Sequence, residues 1–171
     1  MFDIDGTLIN SSSFEDEYYL KAVQSVIKSP IDTDWTTYIN VTDSGILDEI
    51  IEKNGLLSER QNIHCEVKHS FISYIKSHLS HTQAKEIEGA AAFIQMLRKR
   101  DDVVLAIATG GWAETAKLKL ESAGIEYTGI SFASSSDNTS RTGIMKIAEE
   151  RCSTHEFATK SYFGDAIWDS L

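Results

Sequence analysis

From about Thr82 onward the apolar residues alternate between two rhythms, and this alternation restricts the fold more than any other feature. Ile87, Ala90, Ala91, Ile94 and Leu97 fall on one helical face, followed by Arg98-Lys99-Arg100, cations suited to a helix C-terminus. Residues 103–108 (Val-Val-Leu-Ala-Ile-Ala) then run unbroken and apolar, the pattern of a strand covered on both faces. Ala113, Ala116, Leu120 and Ala123 mark the next helix, closed by Gly124. A short strand over 130–133, a helix over 142–152 and a final strand over 160–163 complete the series. Strand and helix in alternation predict an α/β fold: a parallel sheet with helices on both faces and ligands gathered at the carboxyl ends of the strands.

The segment before Thr82 differs in character. Ser12-x-x-Glu15 reads as a capping box ahead of Phe14, Tyr18, Ala22 and Val26 at helical spacing, with Pro30 as the stop. A shorter piece surrounds Trp35, Tyr38 and Ile39. Asp43 is placed to cap a helix carrying Ile46, Leu47, Ile50 and Ile51, which Asn54-Gly55 ends. Ser58-x-x-Gln61 opens a longer helix with Val67, Phe71, Tyr74, Ile75, His78 and Leu79 in register. Residues 13–81 are therefore expected to form a unit of about four helices, set into a discontinuous core made of 1–12 and 82–171.

A chain of 171 residues can bury one good core plus a small helical appendage. Its net charge of −10 argues against nucleic acid or an anionic membrane as partner, and it also opposes a phosphorylated ligand unless local cations intervene. No apolar stretch approaches the roughly 20 residues of a membrane span, and no signal-peptide pattern is present. Cys65 and Cys152 are isolated and read as reduced thiols, which suits a cytoplasmic location. Only Met1 and Phe2 precede Asp3, fewer than a central strand normally uses, and the chain stops just after Asp169. Whether further residues belong at either end is left open by the sequence.

Four polar clusters follow the apolar runs. Asp3-Ile4-Asp5-Gly6-Thr7 places two carboxylates on one side of an extended segment, where they repel unless a cation lies between them. Mg²⁺ is the economical cation, since it takes oxygen ligands and commonly holds phosphate oxygens as well. Ala108-Thr109-Gly110-Gly111 offers a hydroxyl and backbone N–H groups at a helix N-terminus, an anion nest. Arg141 stands just before a helix with Lys146 one turn on, and Gly164-Asp165-x-x-x-Asp169 supplies a second carboxylate pair. His64 and His69, then His78 and His81, share one helix, but no carboxylate or cysteine completes a metal set and a solvated face explains them. Trp112 either borders the pocket or packs beneath the helical unit. Thr42-Asp43-Ser44-Gly45 either faces a ligand or only caps a helix.

This ordered set resembles the haloacid dehalogenase-like superfamily, in particular its phosphatases with an α-helical cap of the phosphoglycolate phosphatase type. Asp3-Ile4-Asp5-Gly6-Thr7 matches the first motif of that family, Thr109 the second, and Gly164-Asp165-Ala166-Ile167-Trp168-Asp169 the fourth. The third departs from the common lysine-proline form. Arg141-Thr142-Gly143-Ile144-Met145 aligns with the version that has a cation at a helix start, which puts Arg141 in the lysine's place ahead of Lys146.

The resemblance implies a three-layer Rossmann-like core with residues 13–81 as the cap. It implies a Mg²⁺-dependent phosphatase acting on a small phosphate monoester, of phosphoglycolate or sugar phosphate type. By the same resemblance Asp3 is the nucleophile and Asp5 the acid and base. Thr109, Gly110 and Arg141 bind phosphate, while Asp3, the Asp5 carbonyl, Asp165 and Asp169 hold the metal. Rival readings on this scaffold are a sugar phosphomutase, an inactive metabolite-binding or assembly module, and a metal-free dehalogenase, against which Asp5 counts. A phosphonate hydrolase needs a Schiff-base lysine from the cap, and none of Lys21, Lys28, Lys53, Lys68 or Lys76 has a diagnostic context.

Overall fold

The computed structural model describes residues 1–11, 14–153 and 156–166. In chain order the elements are β1 (Ile9–Asn10), α1 (Glu15–Val26), α2 (Asp43–Lys53), α3 (Arg60–Leu79), β2 (Lys85–Glu86), α4 (Ala90–Arg98), β3 (Ala106–Ala108), α5 (Ala113–Ala123), β4 (Ser131–Ala133) and α6 (Arg141–Glu150). Single 3₁₀ turns occupy Trp35–Thr37 and Leu57–Glu59.

The fold is α/β, and its parallel sheet grows from the apolar run before Thr109. β3 pairs in parallel with β4, Ala106 opposite Ser131 and Ala108 opposite Ala133. On its other side Phe2 bridges Ile107, and Phe2 in turn bridges Phe163, both in parallel. Backbone bonds Phe2 N–H to Ala106 O (2.9 Å) and Asp3 N–H to Phe163 O (2.9 Å) fix this order. The spatial sequence is therefore β4, β3, the Phe2 segment, the Phe163 segment. All four segments run the same way and end at one edge, where Asp3, Thr109, Ser134 and Gly164 follow.

Side-chain alternation along β3 then defines two faces. Ile107 packs with Phe2, Ile4, Ile94 of α4 and Leu120 of α5. Ala106 and Ala108 face the opposite way, against Ala133, Ile144 and Ala148. The small residues on this second face let α6 lie close to the sheet. A short antiparallel ladder, Ile9 with Glu86 and Asn10 with Lys85, ties the start of the chain to the lead into α4.

α1, α2 and α3 bury a separate core of Val23, Leu47, Ile51, Val67, Phe71 and Ile75, which Trp112 joins from the segment after β3. Trp112 thus packs beneath the helices: it is buried, and its Nε1–H donates to Ser44 Oγ at 2.7 Å. Among the described residues no helix is long and apolar enough to cross a membrane.

Several local expectations are corrected. The strand expected over 103–108 is confined to Ala106–Ala108, and Val104 is 38% exposed, because β4 begins opposite Ala106. The final strand reduces to the single Phe163 bridge among the described residues. α2 is capped by Thr42, whose Oγ1 accepts from Gly45 N–H at 3.0 Å, so Asp43 is the first helical residue and its carboxylate is released for other contacts. Ser58 sits inside a 3₁₀ turn, and α3 starts behind Glu59 without a side-chain cap. Ser12 lies outside the described residues.

Candidate active site

Asp3 leaves the sheet buried, with both carboxylate oxygens engaged. Its Oδ1 accepts from the Ile4 N–H at 2.8 Å, and its Oδ2 accepts from Arg141 Nη1 at 3.0 Å. Arg141 is the first residue of α6, so the helix start aims the guanidinium at the strand ends. Its Nε also donates to Val41 O at 3.3 Å, and a β-carbon added at Gly110 would lie 2.7 Å from its Cζ. Gly110 is therefore where backbone and guanidinium approach most closely. Lys146 does not compete: it is exposed, and lines a separate groove with Glu149 and Lys160.

Thr109 is buried at the end of β3, with Oγ1 accepting from Gly111 N–H at 3.3 Å. The next turn carries three oxygen atoms over one point. A β-carbon on Gly111 would stand 3.7 Å from Thr109 Oγ1, 3.8 Å from Asp43 Oδ2 and 3.8 Å from Asp5 Oδ2. Gly6, at φ +75°, allows the chain to turn sharply after Asp5, and a β-carbon there would fall 1.9 Å from Asp165 Oδ2. The Asp165 carboxylate thus lies against the Gly6 backbone, one turn from Asp3. Asp169 lies outside the described residues.

Two groups that sequence reasoning passed over complete the site. Lys119 of α5 has a side chain with 0% exposure, yet its Nζ donates to Asp5 Oδ1 at 2.6 Å and to Glu15 Oε1. Ser11 Oγ also donates to Asp5 Oδ1. Burial alone would push Asp5 up, but the ammonium beside it and these hydrogen bonds hold it below the ordinary carboxylate range. Burial and the adjoining Asp5 carboxylate push Glu15 well above that range. Burial would lower Lys119, but its two carboxylate partners outweigh that and raise it. A signal for Lys119 did exist, since it falls between Ala116 and Leu120 on the stripe of α5 that should be apolar.

Asp43 ties the helical segment to this turn. Its N–H donates to Gly110 O at 2.8 Å, and its Oδ2 accepts from Trp112 N–H at 2.8 Å. Burial raises its carboxyl to about 7. The Thr42–Gly45 stretch therefore both caps α2 and meets the site. Between the two parts lies a cavity of about 130 Å³, with Glu15, Asp16, Tyr19, Trp35, Asp43 and Arg141 in its wall.

A match to the family model described as haloacid dehalogenase-like hydrolase extends over residues 1–170. The chain belongs to the haloacid dehalogenase-like hydrolase family. It is an enzyme, a hydrolase. A structure described as a hydrolase from Pseudomonas syringae superposes with a TM-score of 0.67 at 19% identity, covering 98% of this chain and 76% of that one, a likeness of fold. No curated protein matches the chain.

Members of this hydrolase family generally use Mg²⁺, and the donors present suit that ion. Asp3, the Asp5 carbonyl and Asp165 are all hard oxygen ligands, and Gly6 leaves room for Asp165 beside them. Among the described residues no three His, Cys, Asp or Glu side chains group as a metal site. The Asp5 side chain itself is turned to Lys119 and Ser11. The histidines serve other ends: His64 Nε2 pairs with Asp48 at 2.7 Å, and His78 stacks on Phe14.

Proposed function

We propose that this hydrolase is a Mg²⁺-dependent phosphatase acting on a small soluble phosphate monoester, with residues 13–81 serving as a cap over the core formed by 1–12 and 82–171. The reading rests on one observation above all. The buried Asp3 carboxylate is held by Arg141 beside the Thr109 turn, at the strand ends where Asp165 also lies.

Asp3 attacks phosphorus through one carboxylate oxygen, forming an aspartyl-phosphate as the ester oxygen leaves. The incoming phosphate dianion opposes the Lys119 charge beside Asp5, so that Asp5 takes up a proton with the substrate, gives it to that oxygen and later takes one from the water that cleaves the acyl phosphate. Arg141, the Thr109 hydroxyl and the Gly110 N–H bind the non-bridging oxygens, where charge spreads in the transition state. Asp3, the Asp5 carbonyl and Asp165 would hold Mg²⁺, with Asp169 in or near its shell by the family resemblance, and the ion would supply positive charge that offsets the repulsion between carboxylate and phosphate. Asp43, Tyr19 and Trp35 from the cap shield the cavity from bulk water.

The cavity wall also favours one of the two expected substrate types. Apart from Arg141 and the Tyr19 phenol, its ionisable side chains are all carboxyl groups, those of Asp5, Glu15, Asp16 and Asp43. A leaving group with its own carboxylate, as in phosphoglycolate, would meet no cation there beyond Arg141, only further carboxyl groups, whereas the neutral hydroxyls of a sugar phosphate would meet hydrogen-bonding partners and two aromatic rings. The test is phosphate release from p-nitrophenyl phosphate, with and without Mg²⁺ and with Asp3→Asn. Turnover that survives chelation or Asp3→Asn would overturn the mechanism.

A further inference from the structure

Lys119 is a costly residue to place where it is. An ammonium removed from water loses several kcal/mol of hydration, recovered only by well-aligned anionic partners. Those partners are Asp5 from the first strand segment and Glu15, the first residue of α1. A tie between core and cap could have used surface residues at little cost. Instead the ammonium sits on the carboxylate assigned to proton transfer.

The geometry at Asp5 explains the choice. Lys119 Nζ and Ser11 Oγ both donate to Oδ1, and the Glu15 carboxyl shares a further hydrogen bond with Asp5. With Oδ1 anchored twice, rotation about the Asp5 side chain is blocked and Oδ2 is held over Gly111, 3.8 Å from where a β-carbon would stand. That point adjoins the Thr109 hydroxyl and the Asp43 carboxylate, on the cavity side of the nest. Oδ1 is thus the anchored oxygen, and Oδ2 is the one on the side of the Gly111 turn.

We infer that Lys119, resting on the phosphatase reading above, is a positioning residue that fixes Asp5 so that Oδ2 faces the leaving oxygen. The ammonium keeps its proton throughout. Asp5 Oδ2 takes up a proton as the phosphate dianion arrives beside it, gives that proton to the ester oxygen as the phosphorus–oxygen bond breaks, and regains one from water in the second half of the cycle. Glu15, the first residue of α1, takes the second side of the ammonium.

Leaving-group dependence separates this role from a structural one. An alkyl phosphate needs a proton as it leaves, whereas 2,4-dinitrophenolate does not, so loss of a positioned acid slows the first and spares the second. With Lys119→Met, kcat/KM for an alkyl phosphate, which reads only the step in which the ester oxygen leaves, should fall about 10- to 100-fold, while kcat/KM for 2,4-dinitrophenyl phosphate should fall less than about threefold. Ser11→Ala removes the other anchor and should show the same selectivity at smaller size. It carries the test if circular dichroism shows Lys119→Met unfolded. Equal losses on both esters, in a wild-type background that hydrolyses both, would overturn the positioning role alone. Wild-type protein releasing phosphate from neither ester would overturn the phosphatase reading and this inference with it.

Discussion

Replacing Gly6 by alanine separates backbone strain from disruption of the site, because the structure supplies a matched control. Gly6 and Gly124 both adopt left-handed backbone, at φ +75° and +71°. An alanine in that region costs about 1–2 kcal/mol at either position. For a chain of this size that corresponds to a melting temperature lower by roughly 2–8 °C. Beyond this shared cost the two differ. A β-carbon at Gly124 meets nothing within 4 Å, whereas one at Gly6 falls 1.9 Å from Asp165 Oδ2 and 2.3 Å from its Cγ. Asp165 would have to retreat by roughly 1.5 Å to reach ordinary contact, and a displacement near 1 Å at a reacting centre can cost about 10²-fold. Gly124→Ala should therefore melt lower yet keep its kcat and its Mg²⁺ requirement. Gly6→Ala should melt about as low as Gly124→Ala, lose about 10²-fold in kcat/KM, and need more Mg²⁺ for half-maximal rate. Melting curves and Mg²⁺ titrations of phosphate release read both quantities. Equal activity in the two variants would refute the placement of Asp165 as part of the site.

Asp43→Asn should change how stability depends on pH. With its carboxyl raised to about 7, the folded protein holds a proton that the unfolded chain releases near pH 4, so this contribution is full below about pH 4 and is lost as pH rises through about 7, by at most about 1.4 kcal/mol per pH unit; thermal melts from pH 4.5 to 7.5 should show a flatter slope in the variant. Arg141→Met removes the cation 3.0 Å from Asp3 and should lower kcat/KM about 10²- to 10³-fold, with inorganic phosphate no longer raising the melting temperature. In a panel of phosphate esters, hexose or pentose phosphates should exceed phosphoglycolate in kcat/KM by about tenfold or more, the equivalent of about 1.4 kcal/mol of like-charge contact. A preference for phosphoglycolate would refute the reading of the acidic cavity wall.

The parts legible in the sequence are those set by short-range rules. The apolar run ending at Ala108 announced a buried strand, and the polar residues after it fell at the sheet's carboxyl edge because a parallel sheet leaves them nowhere else. Arg141 could be preferred to Lys146 because a helix start points toward that edge. The ends of elements were less legible. Thr42 rather than Asp43 caps α2, since either side chain suits a cap and tertiary contact with Trp112 decided which was freed. Ser58 carried a capping pattern that the 3₁₀ turn over Leu57–Glu59 absorbed. Trp112 stayed ambiguous because its partners, Ser44, Tyr19 and Phe71, are remote in sequence. Lys119 was hidden for a similar reason. A lysine on an apolar stripe ordinarily lays its stem along the core and keeps its head in water, and only the approach of Asp5 and Glu15 makes it a buried charge.

These pairings bear on how a chain of net charge −10 can accept an anion at all. Its two cations at the site are each already matched to carboxylates, Arg141 to Asp3 and Lys119 to Asp5 and Glu15. Such pairing lets Asp3, Asp5 and Glu15 coexist in little space without a ligand, since each repulsion is offset locally. The two cations differ in what they can do next. Arg141 has its guanidinium against Gly110 and in the cavity wall, so it can turn from Asp3 toward an incoming phosphate and free that carboxylate for attack. Lys119 is sealed at 0% exposure and cannot follow a substrate, so its charge stays with Asp5. One cation is thus arranged to be shared between resting protein and ligand, and the other to stay fixed. That division is what the proposed roles of Asp3 as nucleophile and Asp5 as proton carrier, two residues apart in the chain, require.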